Sequence, residues 1–309
     1  MTDFRAAYLD LAASGELAER ARQARAMLGE CRLCPHNCAV DRLHGEQGRC
    51  RTGDRPVVSS HGPHFGEESP LVGGGGSGTI FLTNCNLRCI FCQNADISQY
   101  GEGRVVSTEA LTSMMLDLQK RGCHNINFVT PTHQVPMVLE ALVAAAEGGL
   151  RLPLVHNCGG YEALPALRLL DGVFDIYMPD CKYADNGAAK RLSGAPDYWE
   201  RNQEALREMH RQVGDLVLDE RGIAQRGLLV RHLVLPNGLA GTEQVVEFLA
   251  SLSRNTYLNV MAQYRPCNKA FEYEEVARPP TIEEYDRAVR LALDAGLTRL
   301  DERPRRLFR

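Results

Sequence analysis

The chain lacks any run of roughly 18 consecutive apolar residues, so it offers no segment with the signature of a membrane-spanning helix. It also lacks a strong charge of one sign: 35 Lys and Arg against 39 Asp and Glu give a net charge of −4. Aromatic residues make up only 6%. Together these count against a nucleic-acid binder, which needs a basic field with stacking aromatics. The run Gly73-Gly74-Gly75-Gly76-Ser77-Gly78 is not closed by Lys-Ser/Thr, so it is no phosphate-binding P-loop; residues 51–78, with Pro56, Pro63 and Pro70, read instead as a hinge. The first residues, Met1-Thr2-Asp3-Phe4-Arg5-Ala6, are charged where a signal peptide would place its apolar core. With eleven cysteines and no such signal, the expectation is a reducing cytoplasm and metal ligation rather than disulfides.

What is present is concentrated in those cysteines. Cys85, Cys89 and Cys92 lie in Cys-Asn-Leu-Arg-Cys-Ile-Phe-Cys, just beyond the apolar run Thr79-Ile80-Phe81-Leu82. Ferredoxin-type runs supply a fourth cysteine for each cluster, whereas this one continues with Gln93-Asn94. Three thiolates can hold three irons of a cubane and leave the fourth open to a ligand, much as a catalytic zinc keeps an open position. A second set, Cys31, Cys34, Cys38 and Cys50, precedes it, with His36 between. Those four thiols suit either a zinc ion or a second [4Fe-4S] cluster.

Length and composition suit one large α/β domain with an appendage. Helical periodicity gives two short helices broken at Gly15, which with the four cysteines make an N-terminal module over residues 1–70. From 71 to 301 the chain alternates short apolar strands with amphipathic helices, the pattern of a parallel sheet with crossover helices. Strands are expected at Thr79–Leu82, Ile126–Val129, Leu152–Val155, Phe174–Met178, Leu228–Leu235 and Tyr257–Ala262, with a small hairpin over 215–226. Six such units make a partial (β/α)6 TIM-like barrel, followed by a basic tail over 302–309.

Chemistry in parallel barrels gathers at the C-terminal strand ends. There the sequence places Thr130-Pro131-Thr132-His133, His156-Asn157-Cys158-Gly159-Gly160, Asp180-Cys181-Lys182, Pro236-Asn237 and Gln263-Tyr264-Arg265-Pro266-Cys267. His133 is a candidate proton relay. Cys158, Cys181 and Cys267 are expected near the barrel mouth, where three thiols could bind metal or supply a hydrogen atom. Taken singly, each reads as a small buried apolar group; the reactive reading rests on all three converging. Cys123, just past a helix end, is expected to be inert core.

The three-cysteine run resembles the signature of the radical S-adenosylmethionine (SAM) enzymes. Gly78-Thr79-Ile80-Phe81 with the Cys85–Asn94 run is similar to the pyruvate formate-lyase activating enzyme branch, and Asn127–Pro136 and Gln263–Pro266 to less characterised homologues of it. The resemblance implies a radical SAM barrel in which the cluster chelates SAM and generates a 5′-deoxyadenosyl radical. It also implies a ferredoxin- or flavodoxin-like reductant and a protein or peptide substrate. By the same resemblance Thr130 and Thr132 stand where a Gly-Gly-Glu run contacts the SAM amino group, Asn157 stands at the ribose side, and Asp180 and Lys182 contact the methionine moiety; from the residues alone, Asp180 and Lys182 read equally as a structural ion pair at a strand end. Arg231 is placed to reach the SAM carboxylate. Activating enzymes carry extra clusters after the first strand, whereas here the added cysteines precede it. Modification of a small molecule or RNA therefore stays open, as does an iron–sulfur electron-transfer or metal-delivery protein without SAM chemistry.

Overall fold

A computed structural model describes residues 4–301. The basic tail, 302–309, lies outside the described residues. Nine strands form one sheet in the order β3-β1-β2-β4-β5-β6-β8-β7, with β9 paired to β8. Its centre is six parallel strands: β2 (Ser77–Leu82), β4 (Ile126–Val129), β5 (Leu154–Cys158), β6 (Ile176–Pro179), β8 (Ala224–Leu233) and β9 (Tyr257–Met261). These are the six strands expected from the hydrophobic pattern. β7 (Val217–Leu218) folds back antiparallel on β8 as the anticipated hairpin.

Residues 51–78 are not a hinge. Val57–His64 forms β1, antiparallel to β2, and β3 (Arg104–Val105) pairs with its far edge. Gly62 and Pro63 within β1 hid it from a propensity reading, since both residues are depleted in strands. The chain then crosses the N-terminal end of the sheet and forms a single helical turn, α3 (Ser69–Val72).

Alternation along each strand sorts the core into two layers. Ile80, Phe128, Leu154, Cys158, Tyr177, Val230 and Val260 face outward into the main core beneath the helices. Val155, Ile176, Met178, Leu229 and Tyr257 face inward and close around Leu71 of α3. Side chains from four strands converging on one leucine show that the sheet is curled and plugged from below. The crossover helices are α5 (Thr108–Lys120), α6 (Val135–Glu147), α7 (Leu164–Leu169), α9 (Tyr198–Val213), α10 (Thr242–Leu252) and α11 (Ile282–Asp294); α4 (Ala95–Ser98) and α8 (Asn186–Ser193) are short. Side-chain caps from Ser107 and Thr281 start α5 and α11, the latter as a capping box with Glu284.

The N-terminal helices α1 (Tyr8–Ser14) and α2 (Glu16–Ala26) break at Gly15, whose φ of 81° suits a residue without Cβ. Their buried Tyr8, Leu17, Ala21 and Ala24 belong to the main core. Asp175 accepts hydrogen bonds from the Ala7 and Leu154 backbone N–H groups, docking this segment to β5. Among the described residues, no helix is long and apolar enough to cross a membrane.

Candidate active site

The loop after β2 carries Cys85, Cys89 and Cys92 and is stitched down on three sides. Its Arg88 and Ile90 N–H groups donate to Ser193 and Leu192 at the end of α8. Lys269 N–H donates to the Ile90 carbonyl, and Asn86 Nδ2 to the Tyr161 carbonyl at 2.7 Å. Phe91 packs edge-on against Tyr264, with centroids 5.5 Å apart. Each sulfur has polar company: Cys85 Sγ accepts from Leu87 N–H at 3.3 Å and contacts Asn86 Oδ1 at 3.7 Å, Ser193 Oγ donates to Cys89 Sγ at 3.0 Å, and Ser98 Oγ lies beside Cys92 Sγ at 3.1 Å. Burial pushes the Cys89 thiol up to about 11 and raises Cys85 further. Without a metal these groups are protonated; ligation exchanges the protons for a cation.

Lys182 lies beside these thiols, its ammonium 2.5 Å from Asp180. Burial alone would lower its pKa, but Asp180 and the neighbouring Cys89 raise it, so Lys182 is a cation at the cluster loop.

A family model, the Radical SAM superfamily, matches residues 79–220. Uncharacterized protein MJ0674 of Methanocaldococcus jannaschii is 34% identical over 278 residues, 87% of this chain and 76% of that protein. A second protein of the same organism, uncharacterized protein MJ0808, is 24% identical over 183 residues, 49% of this chain and 52% of that one. The chain belongs to the radical SAM superfamily. It is therefore an enzyme of radical SAM chemistry, and that chemistry implies a [4Fe-4S] cluster and SAM. The donor set fits: three thiols share one anchored loop, each with a polar neighbour, and the loop holds no fourth cysteine.

Several residues expected around SAM are placed differently in this radical SAM protein. Arg231 does not offer an open fork. Its Nε and Nη2 donate to Glu68 at 2.7 and 2.6 Å, and Nη2 also bonds Glu67. Only Nη1 reaches a strand-end residue, Asn157, at 3.2 Å. Glu67 and Glu68 come from the segment misread as a hinge, which is why the sequence did not flag them. His133 is 1% exposed, and its Nε2–H donates to the Thr83 carbonyl at 2.9 Å. Burial holds it down to about 4, so it is neutral and braces the start of the cluster loop rather than facing the mouth. Thr132 is buried and donates to Glu162 at 2.6 Å. Thr130 stands at φ 61°, a costly conformation for a β-branched residue, with its N–H on the Asn157 carbonyl at 2.7 Å.

The three extra thiols do not meet. Cys158 and Cys181 point outward into the main core, whereas Cys267 is half-buried on the loop after β9. Strand alternation explains this: Asn157, Asp180 and Lys182 take the inward positions, leaving the intervening cysteines outside. Cys123 is also in the core.

The N-terminal cysteine segment packs directly on the cluster loop. His36 Nε2 contacts the Asn86 carbonyl at 2.8 Å, Arg88 donates to the Arg49 carbonyl at 2.5 Å, and Asn84 donates to Thr52 at 3.3 Å. Burial raises the Cys34 thiol, and charge on Cys50, Glu162 and Cys31 adds to it. Among the described residues, the His156, Cys158 and Glu162 side chains bring three ligand atoms within 4.8 Å of one another.

Proposed function

We propose that this radical SAM enzyme acts on a protein or peptide, taking a hydrogen atom from it in the manner of a glycyl-radical-enzyme activase. The supporting observation is a groove of about 300 Å³ beside the cluster loop, lined by Arg88, Ile90, Gln99, Tyr100, Asn268, Lys269 and Tyr273. Tyr100 is 64% exposed on its rim, and neighbouring Phe271 is 70% exposed. Exposed aromatics around a cationic groove suit a polypeptide segment better than a small metabolite, which calls for an enclosed pocket.

In this reading Cys85, Cys89 and Cys92 hold the [4Fe-4S] cluster, and Lys182, Asp180 and Asn157 receive SAM at the inward strand ends. When bound there, the cluster and SAM would supply the one-electron, radical chemistry that removes a substrate hydrogen atom. The chain's own work is to orient SAM with the Lys182 cation, to keep water from the cluster with Phe91, Tyr183 and Tyr264, and to present the substrate segment. Electrons come from a ferredoxin- or flavodoxin-like protein of the cytoplasm.

Cys31, Cys34, Cys38 and Cys50 hold a second [4Fe-4S] cluster in this reading. Their position against Asn84, Asn86 and Arg88 suits relay of electrons to the catalytic cluster.

The test is anaerobic reconstitution with iron and sulfide, followed by SAM and dithionite. 5′-Deoxyadenosine formation stimulated by a glycyl-radical enzyme or its glycine-loop peptide, with a glycyl EPR doublet, supports the activase reading. Turnover stimulated only by RNA or a small molecule overturns it. A complete lack of 5′-deoxyadenosine with every candidate substrate would likewise overturn the activase reading.

A further inference from the structure

β5 places His156 and Cys158 on the same face, two residues apart, turned away from the barrel interior. The chain then doubles back through Gly159-Gly160-Tyr161 to bring Glu162 over them. Gly160 makes that turn at φ 72°; a Cβ there would lie 2.1 Å from the Asp180 carbonyl oxygen. The turn is held by Tyr198, whose hydroxyl donates to the Gly159 carbonyl at 2.9 Å, and by Asn202, which donates to the Gly160 carbonyl at 2.9 Å. Glu162 is thus delivered by a built loop.

The three ligand atoms all lie within 4.8 Å of one another, and the residues are 0, 2 and 4% exposed. Neither ring nitrogen of His156 has a hydrogen-bond partner, although Phe174 and Tyr177 enclose the ring at 5.0 and 5.6 Å. A buried imidazole with both nitrogens unused is rare in a folded core. Its Nε2 stands 3.6 Å from Glu162 Oε2. That is too long for a hydrogen bond, but close to the ~3.4 Å between two light-atom ligands of one tetrahedral ion. The other carboxylate oxygen accepts from Thr132 at 2.6 Å, which fixes the orientation of the group.

We propose that His156, Cys158 and Glu162 form a mononuclear site for a divalent ion of the zinc class, distinct from both cysteine clusters. The charge balance supports it: a thiolate and a carboxylate neutralise a dication, and the imidazole stays neutral, so the buried site carries no net charge. Binding forms the three metal–ligand bonds and releases the Cys158 thiol proton to solvent, with no change of oxidation state. The ion would brace the turn whose Gly159 abuts Leu87 of the cluster loop.

This proposal does not rest on the substrate reading, and its test does not use turnover. The full chain is reconstituted anaerobically, loaded with zinc, passed over a desalting column and studied by metal analysis and zinc K-edge absorption. About one zinc per chain with a single sulfur among nitrogen and oxygen neighbours is the expected result. Cys158→Ser and Glu162→Gln should keep the iron and sulfide content and lose that zinc. No zinc retained, an all-sulfur shell, or unchanged zinc in iron-replete variants overturns the site. Where a variant fails to hold its iron, the wild-type absorption spectrum decides alone.

Discussion

Arg231 of β8 and Glu68, which immediately precedes α3, form a two-bond pair inside the barrel, with contacts of 2.7 and 2.6 Å and Glu68 only 1% exposed. Glu67 joins the same guanidinium, and Asn259 donates to Glu68 at 2.7 Å. The plug under the barrel is thereby tied, through Arg231, to Asn157 at the end of β5.

Arg231→Met should cost about 3–5 kcal/mol in urea unfolding, because it strands two buried carboxylates without their cation. Replacing all three groups with neutral ones should recover much of that loss, since the desolvation penalty goes with the charges. Burial alone would raise the Glu67 carboxyl, but Arg231 and His64 more than reverse this and hold it down to about 2. Its contribution is therefore present above pH 4.5 and lost as pH falls towards 2. A single-mutant loss below about 1 kcal/mol would mean the pair is exposed in solution.

Acid sensitivity should begin earlier than the carboxylates dictate. Burial holds His133 and His232 down to about 4 from the ordinary 6.5. The unfolded chain then binds more protons between those values, so stability falls as pH drops from 6.5 to 4, by on the order of 3 kcal/mol for each histidine. Asp175 acts in the opposite sense. Burial raises it from 3.8 to about 6, so it favours the folded state as pH falls through that window and offsets about one histidine. Chemical denaturation between pH 7 and 4 should show the net loss. His133→Gln should flatten the slope, and an unchanged slope would show that His133 is solvated.

Lys182→Met should leave the iron content intact and weaken SAM binding at least about tenfold, the worth of one charge-assisted hydrogen bond. The readout is the SAM concentration needed to perturb the EPR signal of the reduced cluster. An unaltered titration would confine Lys182 to its ion pair with Asp180.

Ser193→Ala should shift the catalytic cluster's potential to more negative values without releasing iron. The Ser193 hydroxyl donates to Cys89 Sγ, and with Cys89 ligating the cluster that bond would stabilise the additional electron of the reduced state. A bond worth about 1 kcal/mol more in that state corresponds to about 40 mV. An EPR-monitored redox titration measures it, and an equal or more positive potential refutes the role.

The sequence by itself determined the three-cysteine loop, its place after the first parallel strand, and all six parallel strands. Those features are local: spacing sets which thiols share a loop, and apolar runs between turn residues set the strands. It did not determine which face a strand-end residue takes, because a one-residue offset exchanges inside and outside. Cys158 and Cys181 look like mouth residues in the chain, yet their neighbours Asn157, Asp180 and Lys182 hold the inward positions. Nor could it show that Glu67 and Glu68 close on Arg231, more than 160 residues away in sequence, or that Glu162 returns over His156 and Cys158. Those meetings depend on the plug entering the barrel and on the turn at Gly160, long-range packing that no periodicity encodes.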